Sequence, residues 1–133
     1  MSVLLDTHAA IWFAAEDAAL GKRSRTLSNE ALAEGGLHIS PISFWEIALL
    51  VGKGRLQAGA PASELRSLLL DAGVVELALT GDIALLSVTL DLHGDPADRF
   101  IAATAITHRA TLLTADARLL DWKHAVKRQN ARK

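Results

Sequence analysis

The chain has no cysteine, so disulfides and thiolate metal sites are excluded. It also lacks a long apolar run. The longest, Ala9–Ala15, is far short of the ~20 residues that a membrane-spanning helix needs. No basic segment and apolar stretch precede a cleavage site, so export is not expected and a cytoplasmic location is. Net charge is nearly absent, at -1 from 14 Lys and Arg against 15 Asp and Glu. With half the residues hydrophobic, that balance excludes disorder as the main state. What remains is one domain of 133 residues, long enough to bury roughly two-thirds of its unfolded surface. Several motifs are missing as well. There is no G-x-x-x-x-G-K-[ST] or G-x-G-x-x-G loop for nucleotide phosphates, no G-x-S-x-G elbow for a serine nucleophile, and no His-x-x-x-His pair.

The small net charge is unevenly spread. Residues 1–122 carry all 15 acids but only nine of the 14 Lys and Arg. Segment 123–133 carries Lys123, Lys127, Arg128, Arg132 and Lys133 and no acid. The chain therefore divides into a body, 1–122, and a basic C-terminal tail, 123–133. Such a tail either contacts a polyanion or is a solvated, frayed terminus.

Short apolar runs alternate with helical patterns. Strands are expected at Val3–Leu5, Leu37–Ser40, Val74–Leu79 and Thr111–Thr114. Helices are expected at Thr7–Ala15, Lys22–Glu34, Ser43–Val51, Ala62–Ala72, from Thr80 to about Leu90, at Ala97–Arg109 and at Ala117–Asp121. Their ends carry the right signals. Thr80 and Asp95 are caps, Pro61 and Pro96 suit first turns, and Gly35-Gly36 and Gly73 are stops. Ser43–Val51 is apolar almost all round, which marks a buried helix. The alternation predicts an α/β fold, a parallel sheet covered by helices on both faces, with ligands at the carboxyl ends of the strands.

Four acids fall near those strand ends. Asp6 directly follows Val3-Leu4-Leu5, where a carboxylate is expensive to desolvate unless paired. It also suits the cap of the next helix. Glu46 is the only charge between His38 and Lys53, on an otherwise apolar helix. It calls for a metal or for an ion pair with an arginine such as Arg55 or Arg99. Asp98 lies in D-P-A-D-R, one turn after the cap Asp95, where a helix dipole favours an anion. Asp116 follows the strand Thr111–Thr114 and could be a plain cap. Each acid has a structural account, but four carboxylates at one sheet edge repel unless hard cations neutralise them. Oxygen ligands without cysteine select Mg²⁺ or Mn²⁺ over zinc. Such a site activates water and stabilises charge on a phosphodiester. His8 and His93 flank the acids, but lone histidines are commonly polar surface or satisfied core.

These residues sit in V-L-L-D-T-H-A-A-I-W at 3–12, I-S-F-W-E-I-A at 42–48, D-P-A-D-R-F-I-A-A-T-A at 95–105 and L-T-A-D at 113–116. Together they resemble the PIN-domain nucleases, most of all the VapC-type toxins of toxin–antitoxin pairs. The resemblance spans residues 3 to about 122. It implies a single-domain, three-layer α/β/α sandwich on a short parallel sheet. It implies a metal-dependent endoribonuclease that hydrolyses RNA with Mg²⁺ or Mn²⁺ held by Asp6, Glu46, Asp98 and Asp116. Thr114 matches a hydroxyl position near the last acid, and Arg99 a frequent basic neighbour. An antitoxin that masks the site is the implied partner. Ala97 departs from the pattern, standing where this subgroup often has a bulky aromatic.

A non-catalytic or phospho-accepting α/β signalling or binding module on a similar sheet is the alternative. Phospho-acceptance wants two adjacent acids after the first strand and a lysine after the last. Here Thr7 follows Asp6, and Thr114-Ala115-Asp116 holds no lysine. Ala9–Phe13 and Ala62–Leu70 carry large apolar residues beyond those that a lone body needs, so a homodimer and a groove for an apolar antitoxin helix are expected.

Overall fold

The computed structural model describes residues 1–56 and 58–133. Its strands are β1 (Val3–Leu5), β2 (Leu37–Ile39), β3 (Val75–Glu76), β4 (Thr111–Thr114) and β5 (Arg128–Asn130). Its helices are α1 (Thr7–Ala14), α2 (Lys22–Ala33), α3 (Pro41–Gly52), α4 (Ala62–Ala72), α5 (Gly81–Thr89), α6 (Pro96–His108) and α7 (Ala117–Leu120). The strands form one parallel sheet in the order β3-β2-β1-β4-β5.

The central strands are buried on both faces, and their two-residue period sorts the core. Val3, Leu5, Leu37, Ile39 and Leu113 face one side, where Ala9 and Ala10 of α1, Ala31 of α2 and Leu69 of α4 meet them. Leu4 and Leu112 face the other side, against Ile101, Ala102 and Ala105 of α6 and Leu119 of α7. Helices on both faces make the expected three-layer sandwich. Small residues on α1 and α6 let helix and sheet backbones approach closely. A third cluster of Ile11, Ile47 and Leu65 joins α1, α3 and α4. Helix α3 touches α1 and α4 of one layer and α6 of the other, so it bridges the layers.

Several boundaries differ from the sequence reading for local reasons. Ser40 leaves β2 because its hydroxyl accepts the Ile42 N–H at 3.2 Å and caps α3. β3 keeps only two residues of Val74–Leu79 and sits at the sheet edge. Helix α3 is not buried all round. Ser43 and Ile47 are buried, while Trp45, Leu49 and Val51 reach solvent. The stretches expected to be surplus apolar surface are largely core: Ala9, Ala10, Ile11, Leu65 and Leu69 are buried, and Leu68 is exposed. Gly73 ends α4 at φ 107°, a left-handed conformation that a Cβ disfavours.

The largest difference lies in the basic segment, which is not a frayed terminus. Its residues 128–130 form β5, parallel to β4. The backbone carries the docking. Leu112 N–H donates to Lys127 O at 2.8 Å, and Ala131 N–H to Thr114 O at 2.8 Å. Gly21 N–H donates to Ala131 O at 2.8 Å, and Arg23 N–H to Lys133 O at 2.9 Å. A Cβ on Gly21 would collide with the Lys133 backbone, so glycine is what permits this approach. An edge strand held by main-chain bonds needs no apolar alternation, and Arg-Gln-Asn shows none.

Ala131 is fully buried in the larger core cluster. Ala131→Asp would place an unpaired charge there. It should cost about 3 kcal/mol or more in urea denaturation, whereas Lys127→Gln should stay within roughly 0.5 kcal/mol of the parent. Equal stabilities would show that the segment does not dock.

Candidate active site

Parallel strands deliver their carboxyl ends to one edge, and the acids follow from that. Asp6 comes directly after β1, its N–H donating to Leu113 O at 2.9 Å. Its Oδ1 caps α1 by accepting the Thr7 N–H at 2.8 Å. Asp116 caps α7 by accepting the Arg118 N–H at 2.8 Å. Asp95 caps α6 by accepting the Ala97 N–H at 3.0 Å, which leaves Asp98 in the first turn. Glu46 approaches from the bridging helix α3.

The four acids singled out in the sequence meet around one cavity of about 350 Å³. Asp6, Glu46, Asp98 and Asp116 all line it, together with a fifth carboxylate, Asp95. Thr114 lies wholly buried beneath and joins two of them. Its hydroxyl donates to Asp6 Oδ2 at 2.5 Å and accepts the Asp116 N–H at 3.0 Å. Glu46 pairs with neither Arg55 nor Arg99, and forms no ion pair among the described residues.

Arg99 goes elsewhere. Its Nε donates to His93 O at 3.0 Å, and its Nη1 to Ser87 O at 2.9 Å and Leu90 O at 3.1 Å, while Nη2 donates to Leu92 O. It therefore latches the 87–93 segment onto α6 rather than facing the acids. That latch positions His93, whose Nε2 lies 2.6 Å from Asp98 Oδ2. Single ligand atoms of His93, Asp98 and Asp116 lie within 4.8 Å of one another, a spacing suited to one metal ion.

Sequence reasoning missed Arg118, which stands two residues after Asp116 in T-A-D-A-R. Its Nη2 reaches Asp116 Oδ2 at 3.0 Å and Asp98 Oδ2 at 3.4 Å. Arg132 and His8 complete the charged lining. Arg132 gave no sequence signal, because only β5 brings it there. His93 was visible as a flanking histidine, but its hydrogen bond with Asp98 was not.

The electrostatics follow from burial and crowding. Burial pushes the Asp98 carboxyl up to about 8, reinforced by Asp6, Asp95, Asp116 and Glu46. Asp6 is raised too, mainly by burial, against the hydrogen bonds from Thr114 and Thr7. Glu46 is raised by burial, with Asp6 and Asp95 adding to it. Asp116 alone moves down. Burial opposes its charge, but hydrogen bonds and charge from Arg118 outweigh that. Carboxylates that resist ionising for want of positive charge, in a set without thiolate, fit a hard divalent cation.

This arrangement at the carboxyl edge of a parallel sheet defines a class. The family model for the PIN domain matches residues 3–124, and the chain belongs to that family. Ribonuclease VapC22 of Mycobacterium tuberculosis (strain ATCC 25618 / H37Rv) is 35% identical over 126 residues, covering 92% of this chain and 93% of that protein. The likeness to VapC-type chains read from the motifs is thereby borne out. Solved structures share the fold. A toxin–antitoxin complex from Klebsiella pneumoniae aligns with TM-score 0.64 and 23% identity over 98% of both chains. DNA-bound VapBC from Salmonella typhimurium aligns with TM-score 0.70 and 16% identity, again over 98% of both. No lysine lines the cavity among the described residues, so the phospho-accepting alternative finds no support. No described helix is long and apolar enough to cross a membrane.

Two outcomes follow. Asp98 holds its proton up to about pH 8 when folded, against an ordinary value of 3.8. Its contribution to stability is therefore full below the lower value and lost as pH rises through the higher one. In chelator, the melting temperature should fall between roughly pH 5 and pH 8, and Asp98→Asn should flatten that fall. A parent melt that rises over this range overturns the electrostatic account. Separately, Arg99→Met leaves four carbonyls without their donor. It should cost about 2–4 kcal/mol in denaturant unfolding, and Arg99→Lys should recover only part, because an ammonium lacks the guanidinium fork.

Proposed function

We propose that the chain is a divalent-cation-dependent endoribonuclease, with Mg²⁺ or Mn²⁺ as its cofactor, and the toxin of a toxin–antitoxin pair. The observation that carries this is the convergence of Asp6, Glu46, Asp98 and Asp116 on one cavity in a chain 35% identical to a ribonuclease. Asp6 and Asp98 are the main ligands, and Glu46 completes the set. Asp116, the acid held most readily ionised, supports a second ion or orients the attacking water. When bound, the cation supplies the positive charge that stabilises the phosphodiester as negative charge develops on it, and it makes water a better nucleophile.

The remaining residues position these. Thr114 fixes the Asp6 carboxylate and the Asp116 backbone with one hydroxyl. His93, held through Arg99, fixes Asp98. Arg118 balances Asp98 and Asp116. A protein antitoxin that masks the cavity is the expected partner, since the structural neighbours are toxin–antitoxin complexes. The homodimer stays part of this reading. Large apolar side chains exposed among the described residues include Trp45 on α3, Leu68 on α4 and Leu85 and Val88 on α5. The cytoplasm, where RNA and an antitoxin both occur, is its place of action.

Asp98→Asn tests the site. RNA cleavage in Mn²⁺ should fall at least ~100-fold, equivalent to ~2.7 kcal/mol of transition-state stabilisation. The metal-free variant should be as stable as the parent or more so, because the cost of keeping a carboxyl protonated there, while the unfolded chain ionises it, is gone. Its melting temperature should respond less to added Mn²⁺. A folded variant that cuts RNA at the parental rate defeats the assignment.

A further inference from the structure

Four cations, one on the cavity and three on a separate groove, form no ion pair among the described residues. Arg118 pairs with Asp98 and Asp116, but Arg132, on the same lining, forms no ion pair among the described residues. Its guanidinium instead lies over the Trp12 ring, with Cζ 5.0 Å from the centroid. Trp12 in turn lies beside His8, which also lines the cavity, at 6.0 Å between ring centroids. Arg132 is thus held at the lip of the acidic cavity by stacking, with its donors free to face outward. The next residue, Lys133, lines a separate groove of about 600 Å³ together with Lys22, Arg23, Gln129 and one acid, Glu30. Lys22, Arg23 and Lys133 likewise form no ion pair among the described residues. The groove and the cavity are therefore linked by consecutive residues of one rigid segment. That segment is fixed by Gly21 N–H to Ala131 O and Arg23 N–H to Lys133 O.

We propose that Arg132, Lys133, Lys22 and Arg23 form a phosphate track that leads a single strand of RNA into the acidic cavity. This rests on the ribonuclease reading and names how the substrate enters. Four cations gathered on these two linings, against Glu30 as the acid of the groove, make a surface that suits an external anion. The spacing suits a polyanion rather than a lone ion, because the cations run from the cavity lip into an adjoining groove. A guanidinium lying over an indole is the mixed cationic and aromatic surface on which single-stranded nucleic acid stacks and pairs its phosphates. The lip also answers an electrostatic need. A cavity lined by five carboxylates repels a phosphodiester, and cations at its edge offset that repulsion within the screening length.

The test uses the full chain with Asp98→Asn, so that RNA is bound and not cut, in Mn²⁺. Binding of a fluorescent single-stranded RNA is followed by anisotropy across a salt series. Replacing Arg132 and Lys133 together with glutamine should weaken binding. It should also reduce the slope of log affinity against log salt by about 0.7 for each phosphate that is no longer neutralised. Lys123→Gln with Lys127→Gln, off the track, should change neither. The backbone bonds of the segment remain in all these variants, and thermal melts should confirm equal folding. Unchanged affinity and slope in the Arg132/Lys133 variant overturn the track while leaving the ribonuclease reading intact. Failure of the parent chain either to bind or to cut RNA overturns both. Loss of binding to an acidic peptide with RNA binding unaffected assigns the surface to a protein partner and also overturns the track.

Discussion

Repulsion among five carboxylates is the constraint on which this molecule depends. Two unit charges ~4 Å apart at an effective dielectric of ~20 cost about 4 kcal/mol. A domain's whole stability is only about 5–15 kcal/mol. A fully ionised cluster would therefore consume much of the stability that the core provides. The chain answers in two ways that the structure shows. Asp98 keeps its proton up to about pH 8. Arg118 lays a guanidinium on Asp98 and Asp116. The first follows mainly from burial and then from crowding, the second from an opposite charge, and both limit the negative charge of a cluster suited to a cation.

Only a rigid scaffold can hold such a cluster together. Here the parallel sheet does so, because β1 and β4 are paired in register and release Asp6 and Asp116 at the same edge. Helix ends help further. Asp6, Asp95 and Asp116 each accept backbone N–H groups at the start of α1, α6 and α7. Helix N-termini carry partial positive charge, worth typically about 0.3–1 kcal/mol to a nearby anion. Capping and ligation are thus not rival accounts of these acids. The cap fixes the carboxylate's direction, and the remaining oxygen is held in turn, that of Asp6 by Thr114 and that of Asp116 by Arg118.

That overlap explains what the sequence made legible. The strands at Val3 and Thr111 were readable because a buried strand is continuously apolar, and the helix starts at Thr80 and Asp95 because caps are local. Asp6, Glu46 and Asp116 were readable because each followed an expected strand or lay on the helix after it, and Asp98 because D-P-A-D-R carries its own cap signal. Arg118 and Arg99 were harder. Both stand beside an acid in sequence, yet Arg118 turns to the acids and Arg99 to four carbonyls, a choice made by the fold of the 87–93 segment. β5 was illegible. Arg-Gln-Asn has no apolar period, and its pairing is carried by backbone groups that any sequence possesses. Helix α3 misled for the opposite reason. Its apolar residues run all round, but half of that surface finds no core to enter.

The illegible strand changes how the charge distribution is understood. By composition, the basic segment is separate from an acidic body. In the fold it is laid along the sheet so that Arg132 reaches the cavity that the acids line. Charges farther apart than ~8 Å are largely screened at physiological ionic strength, so a distant cationic tail could do little for an anionic substrate near the carboxylates. Docking through Gly21 and β4 removes that distance. The two arginines of the lining then do different work with the same group. Arg118 lies inward on the carboxylates and lowers their repulsion. Arg132 lies over Trp12 and forms no ion pair within the described chain. If the cavity takes RNA as proposed, both are needed, one cation to hold the cluster together and another to let an anionic substrate approach.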